Sequence, residues 1–115
     1  MYCVKGTEII LTRGDTFKAT LTIQDSTGSI YVPQQGDVIR FAVKKRYSDN
    51  KILIAKIIDN NTLMLKLNPE DTKPLMFGTY VYDVELTYAN GDVDTFIAGG
   101  VLRLLEEVDD SATDW

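Results

Sequence analysis

The chain contains no histidine, one cysteine and one tryptophan among its 115 residues. Without histidine, the commonest general base and the commonest metal ligand are both missing. Ser26, Ser29, Ser48 and Ser111 fall in expected turns or near the end, with no base beside them to activate a hydroxyl. Cys3 is the lone cysteine, so no intrachain disulfide forms and nothing argues for an oxidising compartment. A nucleophilic or metal-dependent enzyme is therefore not expected, and no cofactor is called for. Long apolar runs are missing as well. Met1-Tyr2-Cys3-Val4 gives way to Lys5 and Gly6, which is no secretory signal, and no stretch approaches a transmembrane span. Basic excess is also lacking. The net charge of −5 disfavours a general affinity for nucleic acid or anionic lipid. The single basic cluster, Lys44-Lys45-Arg46 beside Tyr47, reads as a solvated strand end or loop.

What is present is period-two hydrophobicity. The composition, 44% hydrophobic and 25% charged, is that of an ordinary globular domain, and the length is one domain's worth. Residues 1–7 read as a loose lead-in, 8–108 as a single domain and 109–115 as an acidic tail. Glu8–Thr12 reads as a first strand, turned by Arg13-Gly14-Asp15. In Thr16–Gln24, Phe17, Ala19, Leu21 and Ile23 alternate with polar residues. Asp25-Ser26-Thr27-Gly28 is a turn signal, and Ile30-Tyr31-Val32 is stopped by Pro33. Asp37–Lys45 turns Ile39, Phe41 and Val43 inward. Lys51–Ile58 is apolar on both faces, so its register stays open. Asp59-Asn60-Asn61 invites a tight hairpin into Thr62–Leu67.

The stretch Asn68–Leu86 organises the rest. Asn68 can accept the N–H of Asp71, Pro69 suits the first helical position, and Pro74 forbids a second turn. One helical turn near residues 69–73 thus feeds a strand in which Tyr80, Tyr82, Val84 and Leu86 share a face. A short helical corner followed by Gly78-x-Tyr80 is how an immunoglobulin-like sandwich turns from its fifth strand into its sixth, the tyrosine hydroxyl tying the corner. Tyr82 stands where such a sandwich would carry cysteine. Asn90-Gly91 is the strongest hairpin signal, and Gly99-Gly100 should break or bulge the final strand before Val101–Glu107. The expected fold is all-β: an immunoglobulin-like antiparallel sandwich of roughly seven strands. Strands one, two and five are expected in one sheet, the others opposite. A small closed barrel is the competing architecture.

Other constellations read as structure. Asp83 and Glu85 lie on one strand face, about 6.6 Å apart, within the range of paired glycosidase carboxylates. A charged solvent face explains them better, because one small sandwich face supplies no deep cleft. Asp92 and Asp94, with Asp59 and Asn60, match no calcium loop. Arg13-Gly14-Asp15 spells an integrin-binding tripeptide, yet a glycine turn accounts for it.

Several segments, taken together and in order, carry a resemblance. They are Leu11-Thr-Arg-Gly-Asp-Thr-Phe17, Gly36-Asp37-x-Ile39-x-Phe41-x-Val-Lys-Lys45, Leu67-x-Pro69-Glu-Asp-Thr72, Gly78-x-Tyr80-x-Tyr82-Asp83-Val84-x-Leu86-Thr87 and Gly91-x-Val93-x-Thr95. The chain resembles the small immunoglobulin-like structural proteins of phages and prophages of Gram-positive bacteria, and is similar to the N-terminal domain of phage upper baseplate proteins. The similarity covers about residues 8–108. It implies a virion structural role, in tail or baseplate, through contacts with other phage proteins and without catalysis. Assembly in the bacterial host cytoplasm, without secretion by a signal peptide, goes with it. The partners implied are other tail or baseplate proteins, with a homo-oligomer left open, and neither nucleic acid nor membrane. The family's baseplate members carry further domains, whereas this chain stops at Trp115, so no receptor-contacting residue carries over.

Partner-binding candidates are Trp115, as an exposed anchor on the tail, together with Tyr31 and Tyr47. The structural corner is assigned to Asn68, Pro69, Gly78 and Tyr80. A second functional class, a carbohydrate- or cell-surface-binding module that uses Tyr31 or Tyr47, stays open beside the first.

Overall fold

Side chains that alternate between apolar and polar place one row on each face of a strand, and burial follows that row. The computed structural model describes residues 2–5, 8–23 and 29–106. In chain order it contains β1 (Tyr2–Lys5), β2 (Glu8–Thr12), β3 (Phe17–Thr20), β4 (Val38–Lys44), β5 (Ile54–Ile58), β6 (Met64–Leu67), the helical turn α1 (Pro69–Thr72), β7 (Gly78–Thr87) and β8 (Val93–Leu105). Ile39, Phe41 and Val43 on β4 are buried, as are Tyr80, Tyr82, Val84 and Leu86 on β7. Both rows are the ones their period of two predicts.

The strands form a six-stranded sheet of order β1-β2-β8-β7-β4-β5 and a two-stranded sheet, β3-β6. Between them lies one core, in which Leu11, Phe17, Ile39, Phe41, Leu67, Leu86 and Leu102 are wholly excluded from solvent. The fold is an all-β sandwich, and the two separate sheets are not a closed barrel.

Four expectations need correction. Strand one does not join strands two and five. β2 instead runs parallel to β8 in the large sheet, with Ile9 opposite Leu102 and Leu11 opposite Leu104. The large sheet is therefore mixed rather than antiparallel throughout. Alternation decides which face of β2 is buried but is silent on its neighbour, because Ile9 and Leu11 bury equally well beneath either sheet. The supposed lead-in contains β1, paired antiparallel with β2 from Tyr2–Leu11 to Lys5–Glu8.

Asp59-Asn60-Asn61 makes no hairpin, since it carries the chain from β5 in one sheet to β6 in the other. Its turn closes through Leu63 N–H to the Asp59 carbonyl at 2.8 Å and Asn61 N–H to Asp59 Oδ1 at 2.7 Å. Of the two outcomes expected at Gly99-Gly100, the irregularity is the one found: β8 continues, and the β7–β8 register shifts opposite Tyr82, Val84 and Glu85. The Asn90-Gly91 hairpin forms, with Gly91 at φ 94° and its N–H on the Tyr88 carbonyl at 2.9 Å. The turn at Asp25–Gly28 and the acidic tail with Trp115 lie outside the described residues.

Candidate functional site

One joint closes the end of the sandwich where β7 begins. Asp71 accepts the N–H of Asn68 at 2.7 Å, and its own N–H bonds the Asn68 carbonyl at 2.9 Å, so the single turn is boxed from inside. Thr72, fully buried, takes the Gly14 N–H on its hydroxyl at 2.9 Å. Arg13 donates to the Leu75 carbonyl at 3.1 Å, and Tyr80 donates its hydroxyl to the Met76 carbonyl at 2.5 Å. Lys45 lies over the Tyr80 ring, 4.6 Å from its centre, and bonds the Thr79 carbonyl at 3.0 Å. Asn68 and Pro69 open the helical turn, and Gly78 and Tyr80 open β7 after it. The Arg13-Gly14-Asp15 turn is used to pin α1 and the segment after it. Gly14, at φ 88°, supplies the backbone that the turn needs.

The opposite end is organised by Asp37, only 6% exposed. Its carboxylate accepts the Tyr31 hydroxyl at 2.5 Å, the Gln34 N–H at 2.8 Å and the Ala89 N–H at 3.2 Å. The Tyr31 hydroxyl, then the Gln34 N–H, hold the Asp37 carboxyl below its ordinary value. The same hydrogen bond to Asp37, with partial burial, pushes the Tyr31 phenol up to about 12. The Tyr31 ring meets Tyr88 edge-on, centroids 5.8 Å apart. Asn60 adds a bond from Nδ2 to the Asp37 carbonyl at 2.7 Å. Three loops are locked together this way, around an amide-rich hollow of about 280 Å³ lined by Gln34, Gln35, Asn60 and Asn61.

The outward face of the large sheet is the third surface. Arg40 lies between Ile57 of β5 and Glu85 of β7, and Ala42 between Ala55 and Asp83. Alanines leave the floor low. The depression above it, about 150 Å³, is walled by Arg40, Lys44, Asp83 and Glu85. A neighbouring one of about 120 Å³ reaches Tyr47, a residue 57% exposed. Gly99, where the register shifts, donates its N–H to Asp83 at 3.4 Å. Asp83 and Glu85 lie on an open, shallow face beside two cations, an arrangement suited to holding a polar surface.

The structure does not bring the aromatic candidates together. Tyr31 meets Tyr88 and Asp37 just before β4, whereas Tyr47, just after it, places its hydroxyl over Gly99 beside Lys44 and Asp83. Tyr31 is committed to Asp37, Tyr47 faces solvent, and Trp115 lies outside the described residues. The side chains of Asp37, Lys56, Asp71 and Thr72 join parts of the chain far apart in sequence, so local pattern does not mark them. Only the Gly36-Asp37 and Pro69-Glu-Asp-Thr72 motifs hinted at three of them. Among the described residues, no three His, Cys, Asp or Glu side chains are grouped to hold a metal ion.

Fold and surfaces together define a small all-β sandwich scaffold with tied ends and one open, charged face. In comparisons with protein-family models, curated proteins and solved structures, the chain matches none.

Proposed function

We propose that the chain is a non-enzymatic structural subunit of a phage or prophage virion, a tail or baseplate component of immunoglobulin-like type that works through protein–protein contacts. The supporting observation is the ordered set of motifs across residues 8–108, whose side chains build the joints of the sandwich. Arg13, Gly14, Thr72 and Tyr80 belong to those motifs and tie the corner, while Asp37 ties the other end. A frame braced at both ends suits a subunit that is held by its neighbours. Co-expression with the proteins encoded beside it, followed by electron microscopy, tests the reading. A stable co-complex is expected, and failure to associate with any of them would sink it.

A second reading, a carbohydrate- or cell-surface-binding module, is favoured by one feature. Tyr47 stands exposed beside Lys44 and Asp83 at a shallow depression. Aromatic faces flanked by polar groups suit sugars. A glycan array separates the two readings: a signal lost in Tyr47→Ala would favour the module.

A further inference from the structure

Among the described residues, the two-stranded sheet has one edge that no other strand pairs. Among the described strands β3 pairs with β6 alone, and the Leu21 N–H continues that ladder to the Leu63 carbonyl at 2.8 Å. Main-chain groups of an antiparallel strand address its two edges alternately. Leu21 and its odd-numbered neighbours therefore face β6, while Lys18, Thr20 and Thr22 face the other edge. Among the described residues, no main-chain group bonds the backbone of Lys18, Thr20 or Thr22 there. The sequence expects strand one in this smaller sheet, but it pairs with β8 in the large one.

Directly behind the uncovered edge, the sheets part into a crevice of about 220 Å³ lined by Ile9, Ala19, Leu65, Tyr82, Val84 and Ile97. An engineered apolar cavity of about 150 Å³ already admits benzene, so this one has room for more than one aliphatic side chain. The edge at β5 is built differently. There Lys56 shares the inward-facing row with Ile54 and Ile58 and pairs with Asp71 at 2.8 Å, which opposes addition of another strand. The inward row of β3 and its continuation, Phe17, Ala19, Leu21 and Ile23, carries no charge. On the outer surface, Lys18 stands directly opposite Lys66, both exposed and without an acidic partner among the described residues. Like charges so placed repel, and an acidic side chain alongside Lys18 would relieve them.

We propose that β3 accepts an extended segment of a different protein, not of a second copy of this chain, as a further strand. Apolar side chains at alternate positions would enter the crevice, and acidic ones between them would lie beside Lys18. Unpaired main-chain groups supply the hydrogen bonds and the crevice supplies the sequence preference. This site does not depend on the virion reading. The co-expression experiment bears on that reading, and a binding experiment on the isolated full chain bears on this one.

The test is an NMR titration of the full chain with a blocked heptapeptide alternating valine and glutamate. Saturable shifts are expected at the amides of Lys18, Thr20 and Thr22, whose hydrogen exchange should slow by about tenfold or more. Thr20→Pro removes an N–H aimed at the open edge while sparing the β6 ladder, and should abolish binding. Lys18→Glu, an exposed change that leaves the core alone, should weaken this peptide and favour a valine–lysine one. No saturable shift at millimolar peptide overturns the proposal. So does equal binding by both variants, or a response at Ile54–Ile58 instead. Self-association without peptide that Thr20→Pro abolishes would place a second copy on the edge, and also overturns it.

Discussion

Lys56 lies 2.8 Å from Asp71, an ammonium from the inward-facing row of β5 reaching a carboxylate on α1. Asp71 also accepts the Asn68 N–H, so one side chain holds the helical turn and anchors the rim of the large sheet. Asp71→Ala removes both contacts and should cost about 1.5–3 kcal/mol in urea unfolding. Lys56→Met should change stability by less than about 1 kcal/mol, because the pair is partly open to water. It leaves β5 an edge without an inward charge. Light scattering should then show a mass that grows with concentration, and an unchanged monomer would contradict that role for Lys56.

Thr72 has no exposed surface, and its hydroxyl takes the Gly14 N–H at 2.9 Å. Thr72→Val keeps the shape but leaves that N–H without an acceptor. The expected loss is about 1–3 kcal/mol. Thr72→Ser should lose less of this hydrogen bond than valine does. Guanidinium unfolding with an unchanged m-value is the measurement.

Tyr80→Phe removes only the hydroxyl that reaches the Met76 carbonyl. A loss of about 0.5–1.5 kcal/mol is expected, since the ring remains in the core. Equal stability of the two proteins would show that the corner holds without the bond.

The Tyr31–Asp37 contact predicts losses at both extremes of pH. Asp37 ionises below its ordinary range when folded, so the native state holds fewer protons there than the unfolded chain. Its contribution is present above the ordinary carboxylate value and is lost as pH falls through the folded one. Tyr31 is raised from 10.0 to about 12, so its contribution is complete below 10.0 and is lost across that interval. Tyr31→Phe should flatten the alkaline limb of a thermal-unfolding profile and move the acid limb to higher pH. Parallel profiles for the two proteins would exclude the coupling.

Gly100 faces Tyr82, and a Cβ there would collide with the ring. Gly91 has open space but φ 94°. Gly100→Ala is thus a steric insult, of about 1–3 kcal/mol. Gly91→Ala is a backbone one, of about 1–2 kcal/mol. Adding Tyr82→Leu should recover part of the first loss and none of the second, and a double-mutant cycle by thermal unfolding reads the difference.

Local chemistry made several elements legible in advance. The Pro69–Thr72 turn follows from a proline that fits the first helical position and another, Pro74, that stops continuation. The β7–β8 hairpin follows from Asn90-Gly91, and the Tyr80 corner from a tyrosine just past Gly78. The buried row of β7 follows from a period of two. In each case the residues that decide are neighbours in the chain.

What the sequence alone settled was therefore which stretches extend, which face each one buries, and where the chain turns. Tertiary structure decided the rest: that β2 lies parallel to β8, that Lys56 meets Asp71, that Tyr31 is spent on Asp37 while Tyr47 lies exposed over Gly99, and that among the described strands β3 pairs only with β6. The physical reason is that burial of a face rewards any apolar neighbour, so alternation ranks faces but not partners. Partner choice emerges only when all the strands compete for the same core.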